Sequence, residues 1–207
     1  GNTSGNEFNT AVGFQPLYSL TSGDQNVAMG WKASYSNTTG GANTAIGYKA
    51  LYSNTTMWGN VAIGQEALRD SVSGESNIAI GRNTGIAVTE GDDNVLIGGF
   101  AGSNLTTGSK NVAIGQGAGP RVGATNNVAV GYQAGSSVTS GTGNVAVGMY
   151  AGVTNTGEYN ISIGYSSGAS QSGSNNVSVG KEALDSQTST SGNVAVGYQA
   201  GTANTTG

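Results

Sequence analysis

This chain of 207 residues contains no cysteine and no histidine. Their absence excludes zinc sites, thiol nucleophiles and the ordinary acyl-transfer triads, and it is compatible with life outside a cell. Charge is scarce as well. Lys, Arg, Asp and Glu together make 9% of the residues, where about 25% is typical. Seven basic residues against eleven acidic ones leave a net charge of −4. No basic patch is available to neutralise a nucleic-acid backbone, and no polybasic run suits an anionic membrane. No apolar run approaches the length of a membrane span or a signal peptide, so no membrane insertion is expected from this segment. Proline occurs twice, too seldom for collagen, whose every-third-residue glycine spacing is also missing. Regular Val and Ile at low charge argue against disorder.

Glycine is abundant instead, 37 residues or about 18%, against a usual share of about 7%. Much of it belongs to a repeat. The five-residue pattern Asn-apolar-Ala-apolar-Gly, as in Asn60-Val61-Ala62-Ile63-Gly64, occurs twelve times when Thr, Leu or Ser is allowed as an occasional stand-in. Its asparagines are Asn9, Asn26, Asn43, Asn60, Asn77, Asn94, Asn111, Asn127, Asn144, Asn160, Asn176 and Asn193, spaced 17 residues apart eight times and 16 apart three times. The glycine four places on is present in every copy, from Gly13 to Gly197. A period this short and strict is that of a solenoid. Alternation with β-branched residues, closed by Gly, predicts a strand at each motif, with Val and Ile inside the roll and Asn, Ala and Gly on the other face. A small residue three places after the glycine, usually Ala, precedes a second short strand such as Leu51-Tyr52-Ser53-Asn54-Thr55, and Gly, Ser, Thr and Asn turn the chain back. The expectation is a single all-β domain over residues 1–207: a flattened parallel β-roll of about twelve coils, with 16-residue coils losing a residue in the second turn. Stacked asparagines would form a structural ladder along it. The invariant glycine marks either a backbone conformation closed to other residues or a close contact with a neighbouring chain.

One coil contributes little apolar volume by itself, and this implies association with further copies. At this point the repeat resembles two families. The run Val-Ala-Ile-Gly, with small residues before it and Gly-rich turns after it, resembles the head repeats of trimeric autotransporter adhesins. It is still more similar to the tandem repeats of bacteriophage tail fibres, in units such as Asn43-Thr44-Ala45-Ile46-Gly47-Tyr48-Lys49-Ala50-Leu51-Tyr52-Ser53-Asn54-Thr55-Thr56. The resemblance covers essentially the whole chain. It implies a left-handed parallel β-roll, a homotrimer of chains side by side, and an extracellular role as a fibre shaft or adhesin. A cell-surface glycan or protein receptor would then be the partner, with no catalytic activity and no cofactor. A self-assembling extracellular filament is a further reading. Neither end of the sequence shows a capping element, so a segment of a longer fibre or end-to-end stacking is expected.

Four columns carry chemistry that function could use. Five places after the motif Asn, the first three coils hold Phe14, Trp31 and Tyr48; nine places after it they hold Tyr18, Tyr35 and Tyr52. Such ladders either stabilise the stack or offer a platform to sugar rings or a receptor. Carboxylates recur two places before the Asn, bringing Glu7/Asp24 and Glu75/Asp92 onto adjacent coils. They read as solvated turns, with Glu75 and Asp92 as weak calcium candidates; no other metal site is expected. Finally, threonines recur twelve places after the Asn: Thr21, Thr38, Thr55, Thr89, Thr106, Thr139, Thr156, Thr188 and Thr205. Regular threonines on a flat solenoid are a feature of some ice-binding proteins, although Asp70, Asn104 and Arg121 stand two places before that column.

Overall fold

A computed structural model describes residues 8–186 and 189–202. Among them the chain forms twelve strands of three residues each: β1 (Thr10–Val12), β2 (Val27–Met29), β3 (Thr44–Ile46), β4 (Val61–Ile63), β5 (Ile78–Ile80), β6 (Val95–Ile97), β7 (Val112–Ile114), β8 (Val128–Val130), β9 (Val145–Val147), β10 (Ile161–Ile163), β11 (Val177–Val179) and β12 (Val194–Val196). They lie in one sheet in the order of the sequence. Pairing is parallel and motif on motif, so that Ala62 lies beside Ala45 on one side and Ala79 on the other. One rung per coil makes the chain a parallel β-solenoid.

The faces of the strands are the reverse of the sequence-based expectation. The central alanine points inward, and Ala28, Ala45, Ala62, Ala79 and Ala113 are completely buried. The flanking Val and Ile point outward: most are half-buried, while Ile80 is 37% and Ile163 39% exposed. The motif asparagines from Asn26 to Asn176 are buried too. The physical reason is the narrowness of the coil. Opposite the alanine stand the small residue and the leucine of the turn segment, Ala50 and Leu51 or Ala67 and Leu68, and these already fill the interior. A β-branched residue at the inward position would overpack it. Coil six shows the exchange of volumes directly. There Leu96 replaces the alanine, and glycines replace the leucine: a Cβ on Gly85 or Gly102 would come within 2.8 Å of the Leu96 methyl carbons.

The expected second strand is also corrected. The segment after each motif glycine runs as turns, and outside the twelve strands one isolated bridge, Leu105 to Val122, is found among the described residues. Residues six and eight places after the Asn are left-handed, for example Lys49 at φ 53° and Leu51 at φ 49°. Each such residue costs roughly 1–2 kcal/mol without a Cβ-free backbone. Hydrogen bonding in both directions offsets this. The Lys49 amide donates back to the carbonyl of Trp31 at 2.9 Å, and the Leu51 amide donates forward to Ala67 at 3.0 Å. A strand geometry would require φ < 0 at both places, so the turns replace it while keeping every coil bonded to the next.

The invariant glycine takes a backbone conformation closed to other residues, and its close contact is with the next coil of the same chain. Gly131 lies at φ +134°, and a Cβ there would stand 2.6 Å from the carbonyl oxygen of Gly148 in the next coil. Coil length is adjusted elsewhere. In most 17-residue coils the motif Asn reaches the turn carbonyl 14 residues on, as Asn60 reaches Gly74. In the 16-residue coils it reaches 13 residues on, as Asn144 reaches Gly157 and Asn160 reaches Gly173. The missing residue therefore precedes that carbonyl and leaves the ladder intact.

Candidate ligand-binding surface

The asparagine column is an internal hydrogen-bond spine. In coil after coil the side-chain oxygen accepts the backbone N–H of the next motif Asn, as Asn60 Oδ1 does from Asn77 at 2.9 Å. The Nδ2 group donates to the turn carbonyl of its own coil, here Gly74 at 3.0 Å. Some pairs add a direct amide–amide bond, such as Asn94 Nδ2 to Asn77 Oδ1 at 3.0 Å. Both ends of each amide are thus spent inside the molecule, and the spine offers nothing to a ligand.

The two carboxylate and threonine columns are used in a similar way. Asp92 Oδ1 accepts the Glu75 amide of the preceding coil at 2.8 Å, and Asp92's own amide donates to Ser109 Oγ at 2.9 Å. Among the described residues no group of three metal-ligating side chains is gathered; Glu7 lies outside the described residues. Threonine hydroxyls donate to the next coil, Thr21 to the Thr38 carbonyl at 2.8 Å and Thr38 to that of Thr55 at 2.9 Å. Thr188 and Thr205 lie outside the described residues. This column is interrupted by Val72, Gly123 and Ser172.

The aromatic columns face outward. Phe14 and Trp31 stack with ring centres 6.1 Å apart, and Trp31 and Tyr48 at 4.9 Å, all nearly parallel. Beside them Tyr18, Tyr35 and Tyr52 stack at 5.1 and 5.4 Å. Phe14, Tyr18, Trp31 and Tyr48 are exposed, while Tyr35 and Tyr52 are half-buried. Neither ladder is enclosed by this chain. Because the rings stack on one another along the coil axis, the faces between them are occupied.

Between the ladders lies a column that sequence reasoning passed over: Gln15, Lys32 and Lys49, six places after the Asn. Lys32 Nζ sits 4.8 Å from the Trp31 ring centre and 4.7 Å from that of Tyr35. Lys49 Nζ sits 5.6 Å from Trp31, 5.5 Å from Tyr48 and 5.3 Å from Tyr52. The two ammonium groups thus lie between the ladders in a trench walled by four rings, Trp31, Tyr35, Tyr48 and Tyr52. The left-handed φ at this position turns the lysine stem between the walls. The spacing was visible in the sequence, but its meaning depends on the turn. In coil four the same columns carry Glu66 and Arg69. Arg69 pairs with Glu66 at 3.0 Å and with Asp70 at 2.7 Å, and the Asp70 hydrogen bond holds its guanidinium firmly charged. This ion cluster closes the trench at one end.

A second aromatic group lies farther along. Tyr150 meets Tyr132 and Tyr165 edge to face, at 5.5 and 6.1 Å, and loss of hydration followed by the proximity of Tyr132 pushes its phenol upward. Lys181 stands 5.7 Å from the ring of Tyr165 and 5.5 Å from that of Tyr198. Its ammonium is paired with Glu182 at 3.4 Å, whereas no carboxylate pairs with Lys32 or Lys49 among the described residues.

Fold and surface together define a parallel β-solenoid with an apolar outer sheet face and a cationic aromatic trench. Compared with protein-family models, with curated proteins and with solved structures, the chain matches none.

Proposed function

We propose that this chain is a structural, non-catalytic segment of an extracellular fibre, associating side by side with two further copies of itself. The observation that carries the reading is the outer face of the sheet. Two columns of Val, Ile, Met and Thr, from Thr10 and Val12 to Val194 and Val196, run its whole length without a charged residue. With rungs about 4.8 Å apart and two outward residues per rung, this strip covers roughly 600 Å². That is at the upper end for a patch on a monomer and near the roughly 800 Å² one partner contributes to a standard interface. The flatness of the face and its regular rungs suit a second copy with the same spacing. The resemblance to adhesin heads and phage tail-fibre repeats supports a parallel trimer and a left-handed roll. A filament of such units uses the same surface and differs in what joins the ends.

Light scattering at micromolar concentration tests the reading. The expected mass is three times that of the chain. Ile80→Glu combined with Ile114→Glu, at two outward positions in mid-rod that are 37% and 38% exposed, should yield folded monomers. A wild-type protein that is monomeric at these concentrations would refute association through this face.

A further inference from the structure

We infer that the trench between the two aromatic ladders of the first three coils binds a carboxylated oligosaccharide, with Lys32 and Lys49 as the anion-recognising groups. The inference does not rest on the fibre reading, since every residue concerned belongs to one chain. Three observations carry it.

The first is charge. In a protein of net charge −4, these two ammonium groups sit on adjacent coils with no carboxylate partner among the described residues, held between rings at 4.7–5.6 Å. The ring faces stabilise the cations, but rings supply no hydrogen-bond acceptor comparable to an ionised carboxylate, which forms the stronger, charge-assisted bonds. The second is donor content. Tyr18, Tyr35, Tyr48 and Tyr52 carry hydroxyl groups and Trp31 an indole N–H, none of them hydrogen-bonded to a protein group among the described residues, and the walls contain no carboxylate. A ligand rich in hydroxyl and carboxylate oxygens matches such a lining, and its oxygens also match the electropositive ring edges. Tyr and Trp supply this contact with little side-chain entropy to lose.

The third is spacing and extent. Successive rungs stand 4.9–6.1 Å apart by ring centres, close to the length of one pyranose unit, so a short acidic oligosaccharide spans the three coils and brings carboxylates within reach of the two lysines. The Glu66–Arg69–Asp70 cluster then ends the site. Glu66 takes the place of the lysine and repels an anion, and Arg69 is already satisfied by its two carboxylates. The site is therefore about three sugars long. The lysines set the charge preference, and the rings set the preference for a sugar over a simple anion.

The test uses tetragalacturonate as the probe, its fully methyl-esterified form as the neutral control and citrate as a non-sugar anion. Binding is followed by calorimetry and by the emission of Trp31 in a Trp58→Phe background. Tetragalacturonate is expected to perturb Trp31 emission, and 0.5 M salt or K32Q/K49Q is expected to weaken it at least tenfold. The methyl ester and citrate should bind at least tenfold more weakly than tetragalacturonate. Both lysines are half-buried, and unchanged circular dichroism and mass in K32Q/K49Q will show that the fold and assembly remain. Equal binding of the neutral ester, equal binding to K32Q/K49Q, equal binding of citrate, or no binding at millimolar probe would each overturn the inference. Loss of the trimer with binding retained would count against the fibre reading alone.

Discussion

Replacing Asn94 by alanine probes the claim that the spine, rather than the Val and Ile columns, holds the coils together. Asn94 is fully buried in mid-rod. Its Nδ2 donates to Asn77 Oδ1 and to the Gly108 carbonyl, both at 3.0 Å. Its Oδ1 accepts the Asn111 backbone amide at 3.0 Å and the Asn111 side chain at 3.1 Å. Alanine removes all four bonds and strands two buried backbone groups, the Asn111 N–H and the Gly108 carbonyl. Each stranded group costs about 1–3 kcal/mol, and water cannot reach either without opening the stack. The expected loss is therefore about 3–5 kcal/mol. Val95→Ala, one residue away on the outer face, removes two half-exposed methyl groups and should cost the single chain below about 1 kcal/mol. Urea unfolding at fixed protein concentration compares the two. Hydrogen exchange localises the effect, since the Asn111 amide and its neighbours should lose protection in Asn94→Ala and keep it in Val95→Ala. If Asn94→Ala cost under about 1 kcal/mol with Asn111 still protected, the spine would not be the source of stability argued for it.

Two further substitutions address the backbone and the interior. Gly131→Ala places a methyl group against the Gly148 carbonyl at φ +134° and should lower the melting temperature by well over 6 °C, a cost of about 3 kcal/mol or more at about 2–4 °C per kcal/mol for this size. Gly59→Ala is its control: φ is +72°, the nearest atom is 3.6 Å away, and Ala42 already occupies the corresponding place one coil earlier at φ 54°, so about 1 kcal/mol is expected. Ala146→Leu should stabilise. Ala129, Gly135, Val138, Ala146, Gly152 and Asn155 line a small internal void, and the flanking glycines match those around Leu96, so filling it should gain about 1 kcal/mol, read as a rise in the melting midpoint. A fall in that midpoint would show that the void is not shaped as coil six is.

The repeat itself was legible in the sequence because a solenoid writes its period directly into the chain. Twelve copies of Asn and glycine, nine of them with alanine at the centre, at 16–17-residue spacing specify parallel stacking, the register of Ala62 on Ala45 and Ala79, and the columns at which Phe14, Trp31 and Tyr48 meet. Alternation also separates the strand into two faces, but it does not say which face is inside. That was decided by volume. The coil closes on Leu51 and Ala50 from its turn side, leaving room opposite them for a methyl group and an amide, so Ala62 and Asn60 went in and Val61 and Ile63 went out. The absence of a second strand was hidden for a related reason: Leu51-Tyr52-Ser53 looks extended by composition, and only coil-to-coil hydrogen bonds in both directions sustain left-handed Lys49 and Leu51. The same left-handed turn brings Lys32 and Lys49 between the ring ladders. Residue types and spacing along the chain are local properties, whereas the choice of interior and the aim of a side chain depend on what the next coil leaves unfilled.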